Sequence, residues 1–587
     1  MFNKYYQDEL TFLREMGKEF AQSWPDLGYM LAERGSDPDV ERLLEGFAFL
    51  AGRIRQKLDD EFPEITHALW NLLWPHYLRP IPSMSIVEFR AVPGAVRDKV
   101  HIKRGTEVAS VPVDGRTRCR FRTCYGVDLY PLELSEAAIE ERAGSPLTIR
   151  IGFQVMEGAQ FQQLGIDSLR LFLYGEPELT SLIYLWFCRN LNEVVFQGYL
   201  EGRASQQLTL PASCLKVAGF AEDEALLPSA QNSFAGFRML QEYFSLPYKF
   251  MFLDIHGLRQ AAGLETGGRF ELLFRFKPGP QKVPKIAKEN FRLYCTPVVN
   301  LFTHTADPIK LEHDRVEYRL RPASIEARDY EIYSIEKVVG WEQGQVRPRE
   351  YAPFYAFTHE TGGDQEPIFY QARLRPSVKD AGTETFIAFV SEQEEHILPP
   401  AETVSVDLIC TNRNLPEQLR INDICEATAD SPEYSTFRNI TRVTPSVRPP
   451  MDQGLHWRLL SHLALNYLSL VDVASLRSVL EIYNFPALYD RQAARANQLR
   501  LDAIQDIRSK PMEWLFRGVP VRGTSVELDL LETNFSGEGD LYLFSAILNE
   551  LFALYNSINS FSRLTVRGVK QGEVYQWAPR LGSQILA

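Results

Sequence analysis

Nowhere in its 587 residues does the chain carry 18 consecutive apolar residues. The nearest stretch, Leu179 to Cys188, is too short for a transmembrane helix and is bounded by Glu178 and Arg189, so it reads as a buried element. The first ten residues alternate Lys, Tyr, Gln, Asp and Glu, with no cationic stretch leading into an apolar one, as a secretory signal requires. Cysteine is scarce and scattered, at 119, 124, 188, 214, 295, 410 and 425. That odd count holds no C-x-x-C and no companion histidines at zinc spacing, which argues against a disulfide framework and against a metal site. A soluble cytoplasmic protein in a reducing compartment is expected, without direct membrane insertion and without a cofactor.

Basic runs are missing too. Against 63 Lys and Arg stand 76 Asp and Glu, a net charge of −13, and the field of such a chain opposes a phosphate backbone. Nucleic acid is therefore not an expected partner. The strong catalytic spacings are equally absent: no G-x-x-x-x-G-K-[ST], no G-x-G-x-x-G, no G-x-S-x-G and no H-E-x-x-H. His456 and His462 lie six apart, which on a helix separates them by about 240°. Asp254-Ile255-His256 places two polar side chains on one face of an expected strand, so a hydrolase with a β-rich cleft using Asp254 and His256 is an alternative. A strand-edge ion pair is the simpler reading of the same residues. Cys119 and Cys124 flank Arg120 and Arg122, and two nearby guanidinium groups are an arrangement that lowers a thiol pKa; two small buried strand residues are the simpler reading. A carbohydrate or envelope binding module would suit the aromatic strands, but such modules act outside the cytoplasm.

What is present is a change of period along the chain. After Ser36-Asp37-Pro38, where Asp37 can cap and Pro38 supplies the first helical φ, Leu43, Phe47, Leu50, Ile54 and Leu58 recur at three- or four-residue spacing. An amphipathic helix is expected from there to about Phe62, where Pro63 follows. A shorter helix follows Pro63, and an upstream one carries Leu10, Leu13, Phe20 and Trp24. From Met84 the pattern alternates, and short branched or aromatic segments such as Leu147–Val155, Leu169–Tyr174, Phe270–Lys277 and Val404–Cys410 read as strands. Helical spacing returns at Trp457 to Val471 and after Asp472, then strands at Leu501–Ile507 and Val526–Leu531, and a helix from Leu541 to Ile558. The expected fold is α+β and multidomain: a helical N-terminal unit (1–83), β-rich modules at 84–278 and 279–447 separated by Pro278-Gly279-Pro280, and an α+β C-terminal domain (448–587).

Aromatic residues crowd the first 80 positions: Tyr5, Tyr6, Phe12, Trp24, Phe47, Phe49, Trp70 and Trp74. A small helical unit does not hide that much aromatic surface by itself, and such side chains dominate interface energetics. Tyr5, Tyr6, Phe12, Leu43, Phe47, Leu50, Ile54 and Leu58 are the expected partner-facing residues.

The same region resembles a known family. The blocks Asp37–Leu50 (DPDVERLLEGFAFL), Lys57–Glu64 (KLDDEFPE) and Pro75–Pro80 (PHYLRP) are similar to the N-terminal signature of the TssF family, the baseplate wedge subunits of bacterial type VI secretion. The resemblance continues through Phe121–Tyr125, Phe237–Phe244, Pro297–Phe302, Trp457–Asn466, Asn559–Phe561 and Pro579–Gly582, so it runs nearly the length of the chain in order. It implies a non-enzymatic part of a contractile injection machine, similar to the wedge proteins of contractile phage baseplates. The implied partners are TssG, with two TssF copies to one TssG, the second TssF copy, TssE, TssK, and the spike and sheath proteins. The implied location is the inner face of the cytoplasmic membrane once assembled.

Overall fold

Period-two alternation from Met84 onward does produce strands, and they dominate the protein. The computed structural model describes residues 2–24, 38–59, 70, 74–141, 146–200, 203–228, 234–264, 266–277, 283–311, 317–324, 327–342, 348–354, 368–377, 382–391, 402–449, 472–488 and 490–582. Two units divide the chain: Met1–Leu78 with Pro450–Ala464, and Arg79–Pro449 with Leu465–Ala587. Among the described residues no helix is long and apolar enough to cross a membrane.

In the first unit, α1 (Phe2–Ser23) and α2 (Pro38–Asp59) form an antiparallel pair. Glu9 with Arg55 and Arg14 with Glu41, each at 2.7 Å, fix that direction, because the early residue of one helix meets the late residue of the other. Ala48 is fully buried, and at Gly52 a Cβ would stand 3.2 Å from the Tyr6 backbone nitrogen. Two small residues one turn apart thus let the helices approach closely. Pro38 opens α2 as expected, whereas Asp37 and the helix expected after Pro63 lie outside the described residues.

The second unit is built on several sheets. A six-stranded sheet orders Ile424–Glu426, Glu107–Val113, Thr117–Thr123, Cys295–Val299, Met84–Ala91 and Ser435–Asn439. A five-stranded sheet joins Arg203–Pro211, Leu191–Leu200, Arg269–Phe276, Thr148–Val155 and Leu132–Glu140, with Phe270 stacked on Phe153 directly opposite and on Phe196 diagonally across the next strand. A four-stranded sheet holds Ser168–Leu173 between Phe252–His256 and Phe291–Leu293. An eight-stranded sheet is contained within residues 302–411 and has its own core around Phe302, Val338, Val404 and Leu408.

The linker expected at Pro278–Pro280 lies outside the described residues, but strands from both sides of it pair in two of these sheets. Cys295–Val299 lies beside Met84–Ala91, and Phe291–Leu293 beside Ser168–Leu173. Strand pairing among the described residues thus crosses the position of the expected linker, since turn residues report local backbone geometry and not which segments pack together.

Two short helices of this unit are buried over most of their length: α3 (Pro177–Leu185), continued by the buried turn Trp186–Asn190, and α4 (Ala235–Ser245). The Leu179–Cys188 stretch is therefore a buried element, as its composition requires. α5 (Val473–Ile482) starts where Asp472 accepts hydrogen bonds from the Ser475 N–H and hydroxyl, at 2.9 and 3.0 Å. α6 (Arg491–Asp502) starts where Asp490 caps Gln492 and Ala493. The strand expected at Leu501–Ile507 is thus helix as far as Asp502 and begins at Ile504; the polar α6 sequence forms its helix from the cap and from propensity, without the apolar stripe that marks the others.

Ile504–Phe516 and Val519–Leu530 make a long hairpin, and α7 (Glu538–Tyr555) then carries the chain over to Ser560–Gly568, parallel to Val519–Leu530. α7 does not stay with its own segment. A Cβ on Gly539 would fall 2.2 Å from the Ser181 carbonyl carbon, so α7 crosses α3 backbone to backbone, and Tyr555 packs on Phe234 before α4. The expected helix at Trp457–Val471 lies outside the described residues.

Candidate partner interface

The apolar positions of α2 do not all turn inward. Leu43, Phe47, Leu50 and Ile54 are 74, 61, 61 and 63% exposed. At about 100° per residue they fall within a narrow stripe, while Ala48 and Gly52, which face α1, lie about 150° away around the axis. α1 repeats the arrangement. Its Leu10 is buried, and Phe12, Met16 and Phe20, spaced by four, form an exposed stripe about 100° from the buried face. Because the helices are antiparallel, both stripes lean to the same side of the hairpin, but that of α2 lies mostly opposite its contact with α1, so the exposed apolar face consists of two diverging stripes. Trp24 adds an exposed ring just past the end of α1. Full burial of the four α2 side chains would be worth about 4–8 kcal/mol.

Of the residues the sequence singles out, Phe12, Leu43, Phe47, Leu50 and Ile54 lie on this face. Tyr5 is half-buried on the same stripe of α1, and Tyr6 turns toward Gly52 instead. Leu58 is a residue of α2 whose side chain lies outside the described set. Met16 and Phe20 were not among the expected contacts. Their signal was available, since they repeat Phe12 at one-turn intervals, but on a helix with Leu10 and Leu13 the periodicity alone does not say which of two stripes is buried. Phe49 is exposed on a different side of α2 from Phe47.

The candidate catalytic residues are placed otherwise. Asp254 and His256 do share a strand, Phe252–His256, but Asp254 is committed to Arg170, which donates from Nε and a terminal nitrogen at 2.6 and 2.7 Å and also reaches Glu224 at 2.6 Å. Asp254 lines a small polar cavity of about 140 Å³ with Arg170, Asp128 and Tyr130; His256 is not part of that lining. An ion pair is thus the arrangement found, but it joins cross-strand neighbours on the two inner strands of the four-stranded sheet and does not lie at an edge. Cys119 and Cys124 are buried, and burial pushes both thiols up to about 12, so the neighbouring guanidinium groups do not activate them. His304 stacks on Tyr330 and its Nε2 lies 3.1 Å from the Ala323 carbonyl; His313, His456 and His462 lie outside the described residues.

A feature the sequence did not disclose is a fully buried charge cluster. Glu242 of α4 accepts from the Leu226 and Leu227 N–H groups at 2.8 and 2.9 Å, pairs with buried Lys249, and has Arg238 at 3.9 Å. Both of its carboxylate oxygens are engaged, which makes it a structural clamp between α4 and the loop before it.

Comparisons with known proteins fit this geometry. The family model described as "Type VI secretion system, TssF" matches residues 1–584. The chain is 32% identical to the type VI secretion system component TssF1 of Pseudomonas aeruginosa, over 99% of this chain and 98% of that one. Its fold is similar to a chain in the cryo-electron microscopy structure of the type VI secretion TssK-TssF-TssG baseplate subcomplex, with TM-score 0.77 and 33% identity over 92% of this chain and 98% of that chain. It is also similar to a chain of the type VI secretion baseplate complex, with TM-score 0.67 and 28% identity over the full length of both.

Proposed function

Because the chain belongs to the TssF family of type VI secretion proteins, we propose that it is a structural wedge subunit of the baseplate of that contractile injection machine. Its work is to hold partners in place. A subunit of this kind contributes interfaces that can rearrange when the sheath contracts, and needs no reactive group.

The hairpin of α1 and α2 docks on TssG, the observation behind this being the exposed apolar stripe that each of the two helices carries. The similar chain in the TssK-TssF-TssG subcomplex supports TssG and TssK as the partners. Two copies of this chain bind each TssG, and the wedge so formed meets TssE, the spike, the sheath and the neighbouring wedges at the inner face of the cytoplasmic membrane.

Co-expression with TssG, followed by size-exclusion chromatography with light scattering, tests this. A complex with two copies of this chain to one TssG is expected. Replacing Leu43, Phe47 and Leu50 together with Asp should abolish the complex while the variant alone keeps the wild-type circular dichroism, since all three side chains are already in water. A complex that survives the triple substitution removes the hairpin from the interface, and a wild-type chain that stays monomeric beside TssG removes the partner.

A further inference from the structure

The strand Thr117–Thr123 alternates cleanly. Cys119 and Phe121 point into the core and are fully buried, and Arg118, Arg120 and Arg122 project from the other face, successive guanidinium stems about 7 Å apart. Arg118 and Arg120, with Arg116 from the preceding turn, line an open groove of about 470 Å³ together with Glu107, Tyr330 and Thr428. Three guanidinium groups face one carboxylate there, in a chain whose net charge is −13.

Compensation thins along the strand. Arg120 is held by Glu107 through two hydrogen bonds, at 2.9 and 2.6 Å, and lies over the Phe302 ring at 4.7 Å. Its backbone N–H donates to Asn412 Oδ1 at 3.0 Å, and Asn412 is locked to Asn300, both fully buried. Arg118 stands across from Pro112 in the strand register, and its ion-pair partner, Glu426, is 3.8 Å away. Arg116 makes no ion pair among the described residues and is exposed. A neutralised arginine therefore forms the floor, and two exposed ones form the wall, Arg118 loosely paired with Glu426 and Arg116 without an ion pair among the described residues.

We propose that this groove seats an extended acidic segment of a partner protein, whose carboxylates pair with Arg116 and Arg118. Side chains two apart on an extended peptide repeat at about 7 Å, the repeat of this strand, so a peptide lying along it sets one carboxylate against Arg118 and the next toward the turn that carries Arg116. The lining has neither a lysine nor a glycine-rich loop of the kind that cradles phosphate, which favours carboxylates over a nucleotide. This docking surface is separate from the helical hairpin, and its failure would leave the TssG experiment unaffected.

The test is fluorescence anisotropy of the full-length chain with a fluorescein-labelled heptapeptide of alternating glutamate and serine, at low salt. Saturable binding is expected, weakened about tenfold in the double variant Arg116→Gln/Arg118→Gln and unchanged in Arg517→Gln, an exposed arginine elsewhere on the unit. The glutamine–serine peptide should not bind, and the double variant should melt with the wild type because both side chains are exposed. No saturable binding, or equal binding by the double variant, overturns the proposal. Displacement of the peptide by equimolar inorganic pyrophosphate also overturns it, in favour of a free-anion site.

Discussion

Burial decides how individual residues behave here, more than sequence neighbours do. Arg120 and Arg122 flank the cysteine positions, yet desolvation holds the Cys119 and Cys124 thiols at about 12. Only a thiolate reacts quickly with a disulfide reagent, so at pH 8 these two should be inert. Of the seven cysteines, Cys425 alone is exposed, and its own pKa is raised by desolvation and by Glu426 and Asp423. Titration of the native protein with a thiol-reactive disulfide should therefore modify about one thiol, more slowly than free cysteine, with the remainder reacting after denaturation. Early reaction of several thiols would show that the strands around Cys119 and Cys124 open readily. The Glu242–Lys249 pair makes the opposite point about charge. Lys249→Met leaves a buried carboxylate without its cation and should cost about 3–5 kcal/mol. The double change Glu242→Gln/Lys249→Met should cost less than the two single changes summed, read from denaturant unfolding.

At the scale of elements, the hairpin depends on how closely α1 and α2 approach. Gly52 has no spare room, its would-be Cβ meeting Tyr6 backbone atoms at 3.2 and 3.3 Å. Gly52→Leu should push the helices apart at a cost of about 1–3 kcal/mol, and amide hydrogen exchange over residues 2–23 should quicken while the strands of the second unit keep their protection. Unchanged exchange in α1 would mean that the approach at Gly52 contributes little. The exposed stripes need no such closeness, which is why substitution at Phe47 is expected to affect assembly and substitution at Gly52 to affect the hairpin itself.

At the scale of the whole molecule, the second unit closes only when the end of the chain returns to its middle. α7 crosses α3 at Gly539 and Ser181, Tyr483 stacks on Phe237 at 5.0 Å, and Tyr243 lies 6.2 Å from Phe544. A chain cut after residue 447 would leave the apolar surfaces of α3 and α4 in water. Such a fragment is expected to bind a hydrophobic dye and to aggregate during size-exclusion chromatography. A monodisperse, dye-silent fragment would show that the C-terminal segment is dispensable for the fold of the rest.

Much of this protein follows from order along the chain. Periods of 3.6 and 2 locate α2, α7 and the strands from Met84 onward, Asp472 marks its helix by the chemistry of a cap, and the long ordered blocks indicate the family. These are properties of neighbours in sequence, and neighbours are what a sequence displays. Pairing across long distances is different. That Cys295–Val299 lies beside Met84–Ala91, that α7 belongs with α3, and that Glu242 finds Lys249 in the core depend on loop closures that no local pattern records. The same holds for the stripes: periodicity makes Leu43, Phe47, Leu50 and Ile54 apolar on one side of α2, but only packing, with Ala48 and Gly52 taking the contact with α1, leaves that side in water. A helix with two faces able to be buried has its choice made by the partner that fits more closely, and closeness of fit exists only in three dimensions.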